Sequence, residues 1–338
     1  MPAKRKKPVA IVLSTYELMQ KFPDEQSAID YFEGILWADG VNCPYCESRD
    51  TTPRKSIPNF HRCNACRQDF SIRVGTIFER SHIPLHKWLY AMDMLLVSRK
   101  GVSSLQLSKE LGITQASAWF LEHRIRAACG SDTAKLLAGI VEVDEAYIGG
   151  KESNKHENKK LHQGRGTVGK TPILGMRERE GHVVMQVVSG TDKKTIQGVI
   201  KKNVVAGSTV CTDEHASYEG LGTPPQPASE LSGELNVTPN EAETEKTYVH
   251  KTVNHSAKKY VDGMAHTNGV ESVWAVLKRG FYGIYHSFSV KHLPLYLSEF
   301  TFRLNEGNVV IDMVDRLRSL VKGVVGKRLT YKMLVHGI

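Results

Sequence analysis

Two Cys-x-x-Cys pairs, Cys43-Pro44-Tyr45-Cys46 and Cys63-Asn64-Ala65-Cys66, stand sixteen residues apart and constrain this chain more than any other feature of its sequence. Cysteines at that interval offer four thiolates to one tetrahedral Zn2+, each at about 2.3 Å, from two short loops that the metal holds together. Four thiolates close the coordination sphere, so this zinc is structural and is not the metal of any catalysis. They also leave a formal −2 on the cluster, which Arg49, Arg62, Arg67 and Arg73 can offset. Between Ala38 and Ile72 the chain is short polar pieces punctuated by Gly40, Pro44, Pro53 and Pro58, as befits a metal-nucleated knuckle. Cys129 and Cys211 lack partners in sequence and read as small buried hydrophobes.

A chain of 338 residues has far more to fold than that knuckle. Its 41% apolar and 24% charged residues exclude a disulfide-stapled mini-protein and a wholly disordered chain. Lys and Arg total 45 against 36 Asp and Glu, a formal +9, which favours a polyanionic partner, nucleic acid first. No run approaches the ~18 apolar residues of a membrane span. The basic start Met1–Lys7 leads only into the brief run Pro8–Leu13, too short for a secretory signal, so a cytoplasmic, nucleoid-associated protein is expected, with no membrane partner.

Residues Ser14 to Gly34 carry Leu18, Phe22, Ala28, Tyr31 and Phe32 at near-helical spacing and predict a helical lead-in. Trp88, Leu89, Met92, Leu95 and Leu96 open a longer helical region, Pro84 to Ala128. Within it, Ser103–Leu111 and Gln115–Ala128 flank Gly112-Ile113-Thr114, which is helix-turn-helix grammar. The second helix of that pair offers Gln115, Ser117, His123, Arg124 and Arg126 to base edges or phosphate, with Ala118, Phe120, Leu121 and Ile125 turned inward.

A strand-rich region begins at Gly139. Ile140–Asp144, Pro172–Arg177, His182–Val188, Ser208–Asp213 and Val249–Val253 read as strands, Thr195–Asn203 and Thr267–Gly280 as helices. Lys151–Gly169 and the acidic, proline-bearing stretch Gly222–Lys246 read as loops, the second as a disordered insertion.

Asp144 and Asp213 each end a predicted strand, where side chains from neighbouring strands can converge on one cation. Along the helix after His266, Asn268, Glu271 and Lys278 share one face at ~100° per residue. Hard oxygen ligands of this kind suit Mg2+ or Mn2+, and two such ions roughly 3.5–4 Å apart serve an in-line displacement at phosphorus, with Lys278 beside them to hold DNA.

With the ribbon, Gly75-Thr76-Ile77-Phe78, Val143-Asp144-Glu145-Ala146-Tyr147-Ile148-Gly149-Gly150-Lys151, Thr212-Asp213, and Asn268-Gly269-Val270-Glu271 through Lys278-Arg279, the chain resembles the DDE-type insertion-sequence transposases with an N-terminal zinc ribbon, the IS-fifteen-ninety-five or ISXO-two-like group, over about Phe22 to Asn308. The residues read above give an α+β multidomain chain, with a lead-in at 1–37, a four-cysteine zinc ribbon at 38–74, a helix-turn-helix region at 80–130 and a basic helical tail at 309–338, and the resemblance implies a ribonuclease-H-like mixed-sheet catalytic core at 138–308. It implies that Asp144 and Asp213 are the first two metal ligands. The group has either Asn or Glu at the third, and both Asn268 and Glu271 are present here. Glu271 is preferred because a carboxylate binds Mg2+ more strongly than an amide and because Glu271 to Lys278 keeps the seven-residue step of related transposases. The implied activity is metal-dependent cleavage at the ends of the element and transfer of the 3′-hydroxyl into target DNA. Gln115, Ser117, Arg124, Arg126 and Arg279 would contact double-stranded DNA, meaning terminal inverted repeats and target, in a homodimer or larger synaptic complex. A regulator that only binds DNA, and a stand-alone metal nuclease, are the competing readings.

Overall fold

The computed structural model describes residues 13–130, 135–150, 156–161, 166–179, 181–222, 247–253, 266–306 and 311–336. The chain divides into two compact units, one of Met1–Asp132 with Leu277–Ile338 and one of Thr133–Val276. The first opens with α1 (Thr15–Lys21) and α2 (Glu25–Leu36), whose caps Ser14 and Asp24 accept hydrogen bonds from the backbone N–H groups of Glu17 and Ser27. Those bonds satisfy donors that a helix start leaves unpaired. The cysteine-bearing segment follows as three antiparallel strands, β1 (Thr51–Pro53), β2 (His61–Cys63) and β3 (Asp69–Phe70). Its apolar core is small: Cys43, Cys63 and Phe70, backed by Trp37, Val41, Cys66 and Val74. Helices α3 (Leu85–Val97), α4 (Ser104–Leu111) and α5 (Gln115–Cys129) come next. Gly112 ends α4 at φ 60°, a left-handed conformation in which glycine carries no Cβ penalty, and Thr114 caps α5 by accepting from the Ser117 N–H. Leu107, Leu111, Ala118, Leu121 and Ile125 from this helix pair join Phe32, Trp88, Leu89 and Met92 in one buried cluster.

The second unit holds β4 (Ile140–Ile148), β5 (Thr171–Glu178), β6 (Val183–Val187), α6 (Lys193–Asn203), β7 (Thr209–Thr212) and β8 (Val249–Thr252), followed by α7 (Asn268–Gly280), whose last turn passes the unit boundary. Its described strands form a five-stranded mixed sheet in the order β6-β5-β4-β7-β8. The β4–β5 and β5–β6 pairs are antiparallel, β4–β7 and β7–β8 parallel. On one face Val141, Val143 and Val210 pack with Ile196 and Ile200 of α6. On the other, Glu142 and Asp144 accept hydrogen bonds from α7. β4 runs four residues beyond the strand predicted from its alternation, because its ladder with β5 continues to the Ile148–Thr171 pair. Asp144 therefore lies inside a strand, not at its end. Residues 1–12, 151–155, 162–165 and 223–246, which include the basic start, part of the first predicted loop and nearly all of the second, lie outside the described residues.

The first unit resumes with α8 (Leu293–Glu306), α9 (Met313–Lys322) and α10 (Tyr331–His336). The second compact unit closes at Val276, and the chain from Leu277 onward belongs to the first. Met313, Leu317, Leu320 and Val321 of α9 complete the helical core. The Gly75-Thr76-Ile77-Phe78 motif ties down the following segment, with Ile77 N–H donating to Val324 O and Gly326 N–H to Gly75 O.

A buried ion network joins α5 to α8. Arg126, 1% exposed, meets Glu299 at 2.6 Å through Nε and Glu122 at 3.1 Å through Nη2, and its guanidinium lies 4.1 Å from the Tyr296 ring centre. Arg303 and the Tyr285 hydroxyl bond the other Glu299 oxygen, each at 2.9 Å. The prediction that Arg124 and Arg126 face DNA is thereby corrected. Arg124 is buried against Trp88 and Phe120 and donates to the Glu79 carbonyl, and His123 is buried as well. The reason is packing: α5 is contacted by α3, α4, α8 and α9, so most of its length is enclosed. Its exposed residues are Gln115 and Ala116 in the first turn, with Ser117 half-buried. Arg126→Met takes the cation from buried Glu122 and leaves Glu299 with only Arg303 and Tyr285, and it is expected to lower stability by about 3–5 kcal/mol in urea unfolding; a loss under about 1 kcal/mol would contradict the network.

Candidate active site and metal centres

Cys43, Cys46, Cys63 and Cys66 bring their sulfurs within 4.8 Å of one another. The Cys43–Cys66 and Cys46–Cys63 sulfur separations are 3.6 and 3.5 Å. A zinc tetrahedron with bonds of about 2.3 Å has an edge of about 3.8 Å, whereas a disulfide needs about 2.05 Å. The two knuckles are built alike. Cys43 N–H donates to Ser48 O and Cys63 N–H to Gln68 O, while Glu47 N–H and Arg67 N–H return to the carbonyls of Cys43 and Cys63. Both Glu47 and Arg67 take left-handed φ values, 61° and 62°. Geometry and donor chemistry fit structural zinc. Of the four nearby arginines, Arg62 pairs with Asp69 and Arg73 with Glu25, while Arg49 and Arg67 are exposed.

The second cluster is assembled by the sheet. β4 and β7 run parallel with Glu142 opposite Cys211, and continuing that register by two residues brings Asp144 level with Asp213, just past the end of β7. One carboxylate oxygen each from Asp144, Glu145 and Asp213 lies within 4.8 Å of the others. Asp213 Oδ1 accepts from the His215 N–H at 3.0 Å. Glu145 Oε1 accepts from the Ser217 hydroxyl at 3.3 Å. Burial pushes the Asp144 carboxyl above its ordinary value, and the charges of Asp213 and Glu271 push the same way, against a hydrogen bond from Trp274 that holds it down. Burial likewise raises Glu145, with Asp213 and Asp144 adding to it. Crowded, partly desolvated carboxylates of this kind are relieved by a hard divalent cation, and an all-oxygen donor set suits Mg2+ or Mn2+.

Helix α7 is held against this strand. The Val270 N–H donates to Glu142 Oε2 at 3.0 Å, and the same carboxylate takes Arg179 at 3.3 Å and His266 at 3.1 Å through Oε1. Glu142 is 1% exposed, and its charge sits at the start of α7, where the helix dipole favours an anion. Glu271 follows on an exposed face, accepting from the Thr267 hydroxyl at 3.2 Å. The structure thus joins Asp144 to Asp213 and sets Glu271 outside the tight set, close enough to raise the Asp144 pKa. Asn268, the first residue of α7, is exposed, as are Lys278 and Arg279 in its last turn. Glu145 is the acid missing from the predicted ligands, although its carboxylate lies within 4.8 Å of those of Asp144 and Asp213. The available signal was its position directly after Asp144.

Residues 136–227 and 241–305 match the ISXO2-like transposase domain, and residues 23–69 match the transposase zinc-ribbon domain. The chain belongs to the ISXO2-like transposase family. A relative described as an uncharacterized protein in transposable element ISH50, from Halobacterium salinarum, is 26% identical over 298 residues, covering 84% of this chain and 92% of that protein. The ISXO2-like match contains Asp144, Glu145, Asp213 and Glu271, and the ribbon match contains all four clustered cysteines. In this family member no helix among the described residues is long and apolar enough to cross a membrane.

Proposed function

We propose that this ISXO2-like transposase cleaves DNA at insertion-sequence ends and joins the freed 3′-hydroxyl to target DNA, using Asp144 and Asp213 as its principal metal ligands. The observation that carries the reading is the convergence of Asp144, Glu145 and Asp213 where two parallel strands separate. The sheet order, with an antiparallel pair on one side of β4 and parallel strands on the other, supports a ribonuclease-H-like core. A pair of Mg2+ or Mn2+ ions bound there would supply Lewis acidity to both the attacking and the departing oxygen. The protein's part is to hold the carboxylates on rigid strands, to add Glu271 from α7 as the third acid, with Asn268 beside it, and to present Lys278 and Arg279 to phosphate. In cleavage, water oxygen bonds to phosphorus and the 3′-oxygen leaves with a proton. In joining, that 3′-hydroxyl loses its proton and bonds to a target phosphorus, whose own 3′-oxygen departs. One phosphodiester is exchanged for another, so no covalent link to protein and no external energy source is required.

DNA binding is assigned to the turn and first residues of α5, Gln115 and Ser117, with Arg279 and the exposed ribbon residues Arg49 and Arg67 meeting phosphate. The α4–α5 pair supports a helix-turn-helix role, which leaves Arg124 and Arg126 to the interior. Because two element ends are handled together, a homodimer or larger synaptic complex is the working assembly. Supplying labelled element-end DNA, a target plasmid and Mg2+ tests this directly. Joined product is the expected result; cutting without joining indicates a nuclease, and binding alone a regulator, and either would overturn the proposal.

A further inference from the structure

Trp274 sits one turn after Glu271 on α7, and its indole Nε1–H donates to Asp144 Oδ2 at 2.8 Å. The ring is 4% exposed. It lies over Gly175, the cross-strand neighbour of Asp144 on β5. A Cβ at position 175 would stand 2.5 Å from two carbons of that indole ring, so glycine there is what admits the tryptophan. Four residues earlier, Val270 N–H bonds Glu142, two positions along the same face of β4. The first turns of α7 are thus pinned at two successive sites on the strand, and the second is a candidate metal ligand.

We propose that Trp274 is a positioning residue for the metal site: its N–H fixes the orientation of the Asp144 carboxylate and leaves Oδ1 to the cation. This rests on the reading of Asp144 and Asp213 as metal ligands. The physical need is plain. Asp144 lies among like charges, Asp213 and Glu271 both acting on it, and a carboxylate free to rotate would turn away from them. A buried donor on one oxygen opposes that rotation before any cation arrives. Outer partners of metal ligands act in this way, and losing one typically weakens metal binding about 10–100-fold.

The test is Mn2+ binding to the full zinc-loaded chain, followed by the electron paramagnetic resonance signal of free Mn2+, for the parent protein, Trp274→Phe, Gly175→Ala and Asp144→Asn. Trp274→Phe keeps an aromatic ring and removes the donor; it is expected to weaken Mn2+ binding about tenfold or more while element-end DNA binding in a gel-shift assay stays unchanged. Gly175→Ala should reproduce the effect from another strand by displacing the ring. In cleavage assays the Mn2+ concentration giving half the maximal rate should rise by the same factor. Should Trp274→Phe fold poorly, 3-benzothienylalanine at position 274 keeps the ring shape and lacks only the N–H. Parent-like Mn2+ affinity in either donor-free protein overturns the positioning role. Unchanged affinity in Asp144→Asn overturns the metal-site reading itself, a distinct result.

Discussion

Asp144→Asn and Asp213→Asn are each expected to lower strand cleavage and joining by at least a hundredfold to a thousandfold, on the order of what loss of one key electrostatic group costs. Both variants should bind element-end DNA as the parent does. The amide is isosteric with the carboxylate, and at position 144 it still offers an oxygen to the Trp274 indole, so packing between β4 and α7 survives. What disappears is one negative charge from a set whose oxygens lie within 4.8 Å. A neutral amide is a weaker ligand for a hard dication, and its loss bears on the reaction more than on the fold. Because burial and neighbouring acids already raise the Asp144 pKa, removing its charge should leave thermal stability equal or slightly higher, opposite to its effect on activity. Kinetics of a labelled substrate, beside a thermal melt, reads both. Joining within tenfold of the parent rate in either variant would remove that aspartate from the site.

Removing zinc is expected to unfold the segment from Ala38 to Ile72. The three strands there have two or three residues each, and their shared core is Cys43, Cys63 and Phe70 with a few half-buried neighbours. A core of that size is too small to hold the segment folded without help, so the metal must contribute to its folding. Structural zinc sites of this class contribute apparent binding free energies of about 10–16 kcal/mol at neutral pH. One zinc per chain should be found by elemental analysis, and it should be lost in Cys63→Ser. Hydrogen exchange should then show deprotection at the Cys43 and Cys63 amides, which donate within the two knuckles, while Val143 and Leu174 in the β4–β5 ladder stay protected. Zinc-free protein that keeps protection at both knuckle amides would refute the assignment.

Much of this was legible in the chain itself. The Cys-x-x-Cys spacing specified a four-thiolate centre because two residues between ligands are enough to turn both sulfurs toward one point. Alternation and helical period located β5, β6, β7, β8, α6 and α7 to within a few residues, since burial of one face imposes those periods wherever the element finally packs. Ser103, Gly112 and Thr114 marked the α4–α5 turn because capping is a local hydrogen-bond requirement.

Long-range pairing was not legible. Arg124 and Arg126 read as surface cations, and only the arrival of Glu299, 173 residues after Arg126, makes the second a buried ion partner. The length of β4 depended on β5 as neighbour. Glu145 joined the acidic set, and Trp274 reached Asp144, through contacts between elements far apart in the chain. By itself, then, the sequence determined which segments are helix, strand or metal knuckle, and which acids were available, because those properties follow from local sterics and the period of apolar residues. Tertiary structure alone decided which of those acids meet and which cations are buried, because register between strands and packing between helices are set by partners that no local pattern names.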